Sequence, residues 1–430
     1  MDKRALAHQI MLEYRDEIVR VIQDLVRKPS QNMPPDGEEL ASQEYIANYL
    51  RQTGLPADMY QPDRVPGMVE HPDFWPGRNY DRRPNVSSEL EGKGGGRSLL
   101  LTGHIDTVAL GDNLWSVPPW GAEIHDGRIY GLGTVDMKGA MGATLVLHKA
   151  VAAKKIPLRG SLSFESVVDE EEGGVNATIA GRLRHGPRDG AVIPEGTGLQ
   201  VYPAARGVLD TAFTFHSCKG ALHKAGTGGE GNAGAVEQMA VFLTHLRELQ
   251  DARSRHPLHP LYGGYPIAAP VEVIKVYAGG WGNKVPTAMP AEGRIEMIVE
   301  TLPGEGHAAV QKEQDDWVAS LIARYPQVFA KPPDVFHPIR FLRGTAMDPT
   351  HPLVTTMVES ITQVWGKAPT VTGAPYACDM FALHQDFGMP GLLFGPTGGN
   401  AHAADEYVEI DSLFIFFEAL LLFVMEWCGV

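Results

Sequence analysis

Cysteine is scarce in this chain. Its 430 residues hold three, Cys218, Cys378 and Cys428. They lie far apart and form no C-x-x-C pair, which excludes a disulfide-stapled secreted domain and a thiolate metal knuckle of ordinary spacing. A reducing, cytoplasmic setting is the expectation. A long apolar run is missing too. The longest, residues 413–425, contains Glu418 and is too short to cross a bilayer, so it reads as a buried C-terminal helix and no membrane role is expected. The start, Met1-Asp2-Lys3-Arg4-Ala5, leads into an amphipathic helix marked by Ile10, Tyr14, Ile18, Ile22 and Leu25. It lacks the apolar segment of a secretory leader. Positive charge is in deficit, with 37 Lys and Arg against 52 Asp and Glu and a formal net charge of −15. That excludes a general nucleic-acid backbone binder, which needs clustered cations. No internal repeat is visible.

Hydrophobic residues at 43% and charged residues at 21% are the balance of a folded globular protein. The length exceeds one simple core, so two domains are expected. After the first helix, Pro29-Ser30 and Pro34-Pro35-Asp36-Gly37 break the pattern, and a second helix is predicted over 38–50. Residues 56–97, rich in Pro, Gly and charge, read as a long surface excursion. Strands at 98–101, 160–168 and 190–193 then alternate with helices at 138–153 and 176–183. This is the grammar of an α/β domain with a mainly parallel mixed sheet flanked by helices.

From Arg206 the grammar changes. A strand at 208–215, a helix at 233–249, strands at 271–277 and 293–300 and a helix at 307–324 follow the order of a smaller α+β, ferredoxin-like insert with an open sheet face. A helix at 352–364, a strand at 391–394 and the terminal helix complete the chain. The expected organisation is a discontinuous catalytic domain, 1–205 and 317–430, interrupted by an insert at 206–316.

Five segments carry chemistry: Thr102-Gly103-His104-Ile105-Asp106, Gly133-Thr134-Val135-Asp136-Met137-Lys138-Gly139, Asp169-Glu170-Glu171-Glu172, Pro194-Glu195-Gly196 and Asn400-Ala401-His402. Each follows an apolar or turn-flanked stretch, and strand ends are where open α/β sheets build their sites. Two imidazoles with several carboxylates are the ligand mix of a borderline divalent ion. Asp106, two residues beyond His104 on extended backbone, points to the same side and is placed to hold the ring's second N–H. Asp136 sits at a glycine-rich turn before a helix, where one carboxylate can bridge two cations. Glu170 and Glu171 are adjacent and diverge. One can bind metal while the other takes a proton from water, as metal-assisted hydrolysis requires. Singly, each has a bland alternative: a structural His–Asp pair, a solvated helix end, a turn glutamate, or a surface polar cluster of His402 with Asp405 and Glu406. Five in order along one chain set those alternatives aside.

In these segments the chain resembles the aminoacylase/acetylornithine deacetylase/succinyl-diaminopimelate desuccinylase/glutamate carboxypeptidase family of dinuclear metallohydrolases. The resemblance implies two divalent metal ions per subunit, zinc first, with manganese or cobalt as alternatives. Asp136 would bridge them, His104 and Glu195 would hold one, and Glu171 and His402 the other. Asp106 would stand behind His104, and Glu170 would be the general base. The resemblance also implies a homodimer formed through the insert, which lends a histidine across the interface. His223, in Lys219-Gly220-Ala221-Leu222-His223, is the candidate for that role and His216 its competitor. Asn283, within Gly279-Gly280-Trp281-Gly282-Asn283, would face the substrate.

Where relatives place a carboxylate-binding arginine, this chain has Glu300. A free substrate carboxylate would be repelled there unless Arg206, Arg294 or Arg343 substitutes. The implied activity is deacylase- or aminoacylase-like cleavage of an amide or related C–N bond in a small molecule. A deformylase or an arylamine deaminase or amidohydrolase acting on a non-amino-acid substrate is the alternative on the same scaffold. A non-catalytic, metal-stabilised binding protein is the rival from another class.

Overall fold

The computed structural model describes residues 2–217, 233–282 and 287–430. Its helices are α1 (Lys3–Val26), α2 (Leu40–Gln52), α3 (Gly139–Ala153), α4 (Asn176–His185), α5 (Ala235–Arg253), α6 (His307–Arg324), α7 (Pro352–Trp365) and α8 (Ile410–Trp427). The Asp2 side chain starts α1 by accepting from the Ala5 amide at 3.2 Å, as an N-cap should. One stripe of α1, from Ile10 through Ile18 and Ile22 to Leu25, is buried, and the helix packs against α3 and α8. The helix α8 is apolar almost all round and buried along most of its length, as a core helix must be. Among the described residues no helix is long and apolar enough to cross a membrane.

The chain divides into two compact units. The first comprises Met1–Ala205, Ala346–Ala374 and Cys378–Val430, and the second Arg206–Thr345 and Pro375–Ala377. In the first, strands Ala191–Ile193, Leu99–His104 and Leu162–Val167 run parallel to one another. They are buried along their full length, which explains their continuous apolar runs. Gly391–Leu393 adds in parallel beyond Ala191–Ile193. At the other side Asn85–Leu90 and Asp58–Tyr60 add antiparallel.

Those last two strands correct the expectation of a surface excursion over 56–97. Asn-Val-Ser-Ser-Glu-Leu carries little apolar signal, and the strand settles its polar groups inside instead. Asn85 Nδ2 donates to the Ala177 carbonyl at 2.8 Å, and Ser87 pairs with His185 at 2.8 Å. His104, Glu170–Glu171 and Glu195 all follow the carboxyl ends of parallel strands. One edge of the sheet thus gathers them.

The second unit is a βαββαβ fold. Its sheet order is Asp334–Phe336, Val201–His216, Glu292–Thr301, Val271–Ala278, with every neighbour antiparallel. This is the ferredoxin-like arrangement. Phe213, Phe215, Phe242 and Trp317 form the centre of its core, with Phe242 lying 4.9 Å from Phe213 and 4.7 Å from Trp317 between ring centroids. The unit continues to Thr345 and does not stop at Asp316. A boundary at 316 would cut α6 in two and strip Trp317 and Leu321 from the core they help to build.

Candidate metal centre

His104 ends its strand with both ring nitrogens engaged. Nδ1 meets the main-chain carbonyl of Asp106 at 2.9 Å, while the Asp106 carboxylate is 3.7 Å away. The group that sets the ring's orientation is thus the carbonyl of Asp106, where the extended geometry pointed to its carboxylate. On the other side, His104 Nε2 is 3.1 Å from Asp136 Oδ1, 3.6 Å from Glu195 and 4.0 Å from Glu170. The second oxygen of Asp136 is 3.2 Å from His402 Nε2, which is also 2.8 Å from Glu171. Asp136 therefore offers one oxygen to each imidazole. Glu170 and Glu171 part, the first toward His104 and the second toward His402. His104, Asp136 and Glu171 each present a donor atom within 4.8 Å of the others. His402 sits on left-handed backbone (φ +59°) in the turn after Asn400.

The charge balance shows what the centre suits. Burial, and then Asp379, Glu195 and Glu171, push the Glu170 carboxyl well above its usual range. Burial followed by Asp136 does the same to Glu195 and raises Glu171 as well. Burial opposes charge on His104, but Asp136, Glu195 and Glu170 outweigh it and lift its pKa. The same His–carboxylate attraction overcomes burial at Asp136 and lowers its pKa. Two imidazoles face a clear excess of buried carboxylates, which is costly without added positive charge. Among the described residues the donors that converge here are oxygen and nitrogen, a set that fits divalent ions.

Other residues hold this geometry without belonging to it. Glu406, which entered the sequence analysis only through the bland alternative for the His402 segment, is 1% exposed. It accepts from the amides of Gly133 (2.7 Å), Val135 (2.8 Å) and Asp136 (3.1 Å). Burial, then Asp136, lifts its pKa to about 8 despite those amides. Lys138 is fully buried and donates to the carbonyls of Lys28 (2.7 Å) and Leu25 (3.2 Å) at the end of α1. Thr178 donates to Asp379. Lys138 lies inside one of the five segments, whereas Glu406, Thr178 and Asp379 belong to none of them.

His223 and Asn283 lie outside the described residues. His216, the competitor, is engaged in the second unit by Asp334 at 2.5 Å and Glu292 at 3.3 Å. Glu300 is not the bare anion that its sequence position suggested. Arg206 donates to it, to the Pro375 carbonyl (2.9 Å) and to the Ile267 carbonyl (3.2 Å). Both side chains are buried, so each already holds a counter-charge.

Imidazoles and carboxylates gathered at the carboxyl ends of the parallel strands of a mixed α/β sheet, in a chain that also carries a ferredoxin-like unit, define the class of metallohydrolases. The description "Peptidase family M20/M25/M40" matches residues 100–426, and the chain belongs to that family. It is a hydrolase acting on C–N bonds. It is 27% identical to the N-formyl-4-amino-5-aminomethyl-2-methylpyrimidine deformylase of Halalkalibacterium halodurans, over 96% of this chain and 95% of that one. Its fold is similar to that of the di-peptidase Dug1p from Saccharomyces cerevisiae, with a TM-score of 0.79 at 14% identity covering 100% of this chain and 99% of that one. It is similar also to human carnosine dipeptidase 1, with a TM-score of 0.77 at 15% identity covering 99% of this chain and 100% of that one.

Proposed function

We propose that this enzyme removes a short acyl group, formyl foremost, from the amine of a small molecule that carries no free α-carboxylate. The carrying observation is the Asp136 carboxylate divided between His104 and His402, with Glu170 beside it. His104, Asp136, Glu195, Glu171 and His402 would hold two divalent ions, zinc first, with Asp136 shared. When bound, such ions supply Lewis acidity, which polarises the scissile carbonyl and acidifies water.

The chain's own residues do the rest. Glu170, kept basic by burial among other carboxylates, takes a proton from the attacking water. The C–O bond forms first and gives a tetrahedral oxyanion; its collapse restores the carbonyl and breaks the C–N bond as Glu170 returns the proton to the departing amine. Asp106 fixes the ring of His104 through its carbonyl, which sets the direction of Nε2. His223 is assigned to stabilising the oxyanion of a neighbouring subunit, and Asn283 to contacting the substrate. Dimerisation through the second unit is supported by the exposed edge strand Val271–Ala278, where Ile274, Val276 and Tyr277 are 46%, 55% and 64% exposed. A cytoplasmic location completes the reading.

The substrate assignment draws on the deformylase relative and on the Arg206–Glu300 pair, which leaves neither group available to a substrate carboxylate. The test is kcat/KM on metal-reloaded enzyme for a formamide of an aminomethylpyrimidine, an N-acyl amino acid and its carboxamide. Formate release from the first and a preference for the carboxamide over the acid are expected. Cleavage of the N-acyl amino acid alone, with every metal, would overturn the reading.

A further inference from the structure

A line of buried polar contacts reaches the centre from residues 32–39 and from Arg83, none of which offers it a ligand. Asp106 turns Oδ2 away from His104. That oxygen accepts from Asn32 Nδ2 (2.9 Å) and from the main-chain amides of Glu170 (2.9 Å) and Glu171 (3.1 Å). Asn32 presents its amide nitrogen there because its oxygen accepts from Arg83 Nη2 at 3.1 Å. An amide held by a donor at one end has only its own donor left for the other. Arg83 is seated on Glu39, with Nε 2.9 and 3.1 Å from the two carboxylate oxygens. Glu39, Arg83, Asn32 and Asp106 are all 1% exposed or less. The local chain is shaped around this pair: a Cβ at Gly37 would stand 2.5 Å from both Arg83 Nε and Glu39 Oε2.

A guanidinium is needed for this geometry. It serves Glu39 with Nε and Nη2 while Nη2 also reaches Asn32, which a lysine ammonium on a single stem cannot do in the same way. Downstream, the two amides on Asp106 belong to the residues whose side chains part toward His104 and His402. Fixing those amides fixes where both side chains begin.

We propose that Arg83 is a positioning residue of the hydrolytic centre. Acting through Asn32, it holds Asp106, and through Asp106 the main chain of residues 170–171, in the register that sends Glu170 to one side and Glu171 to the other. The inference rests on Glu170 being the base, as proposed above.

The test is a double-mutant cycle on kcat with Arg83→Lys, Asn32→Asp and both together, each reloaded with zinc to equal content. Asn32→Asp keeps the shape and the acceptor facing Arg83, and replaces the donor that serves Asp106 at 2.9 Å and Asp169 at 3.3 Å. Each single variant is expected to lose about 10–100-fold in kcat, the usual effect of removing a partner behind a ligand. KM should stay within about threefold, since binding is untouched. The double variant should be no slower than the worse single, because both cut one relay. If Arg83→Lys does not fold, Gly37→Ala, which presses on the Arg83 side chain, takes its place in the cycle. Multiplying losses overturn the proposal. So does a lowered melting temperature with unchanged kcat per folded molecule, the mark of a purely structural role. Glu170→Gln measured alongside separates the two claims. Normal turnover there removes Glu170 as the base, while the 32–83 cycle still reports the relay.

Discussion

At the centre of the first unit, His104 and His402 face Asp136, Glu170, Glu171 and Glu195. In the second unit His256 stands between Glu305 (3.1 Å) and Glu313 (3.0 Å), and the Arg253 guanidinium meets the same two carboxylates at 2.9 Å each. Residue types and spacings are alike, but the charge balance is opposite. Around His256 the acids have a buried cation of their own and join the end of α5 to α6. Around His104 the protein supplies two imidazoles for a larger set of carboxylates, and burial raises the pKa of the surplus ones. A histidine–carboxylate cluster is thus read by its counter-charge more than by its composition. One cluster is complete as a piece of structure, and the other is built to receive cations.

The largest expected effect tests the shared carboxylate. Asp136→Ala should strip the enzyme of bound zinc altogether, whereas Glu170→Gln should keep its zinc and lose about 10²–10⁴-fold in kcat. Metal analysis of both variants decides it. Zinc retained in the first would refute the sharing, and zinc lost from the second would mean that Glu170 and Glu171 exchange roles.

Next, Phe242→Ala should cost the second unit about 3–5 kcal/mol by opening its aromatic core. Urea unfolding should register this while zinc content per folded chain stays unchanged. The comparison sharpens further with metal itself. Zinc should raise the melting temperature of the wild type by mass action, by about 2.7 kcal/mol of stability at a hundred times Kd. An Arg253→Met variant should show the same rise from a lower baseline. A larger zinc response in that variant would mean that its freed glutamates also collect metal.

The smallest effect concerns Glu300. Burial lifts its pKa from 4.5 to about 7, against the pull of Arg206. The folded state therefore keeps a proton that the unfolded chain has already released. The stability this group contributes is present below pH 4.5 and is lost as pH rises through about 7. Glu300→Gln removes that dependence. Its melting temperature, relative to the wild type, should be more favourable at pH 8 than at pH 5, and an equal difference at both would refute the shift.

Much of this was legible in the chain. The apolar runs before His104, Glu170 and Glu195 gave parallel strands, because strands buried on both faces need no alternation. The predicted helix over 307–324 coincides with α6, whose apolar stripe is regular. The two ends of that helix were legible, but its allegiance was not. Nothing local says that Trp317 packs on Phe242 and not on the first unit. The strand Asn85–Leu90 escaped because its stabilisation is polar and nonlocal, in Asn85, Ser87 and their partners. The residue types of the candidate metal centre followed from composition and order. Glu406, Asn32 and Arg83 did not, since each acts through hydrogen bonds to a distant backbone or amide, and such bonds leave no period in the sequence.

The hydrogen bond from the Val135 amide to Glu406 spans 271 residues, and His402 lies in the same late segment. This sets an order of assembly during synthesis. While the ribosome is still making α7, the nascent chain already carries His104, Asp136, Glu170, Glu171 and Glu195, yet it has neither the second imidazole nor the carboxylate that ties down the Asp136 turn. On the ligand set proposed above, cation capture is therefore among the last acts of folding. A chain released after Gly399 should fail to retain zinc, however well its sheet has formed.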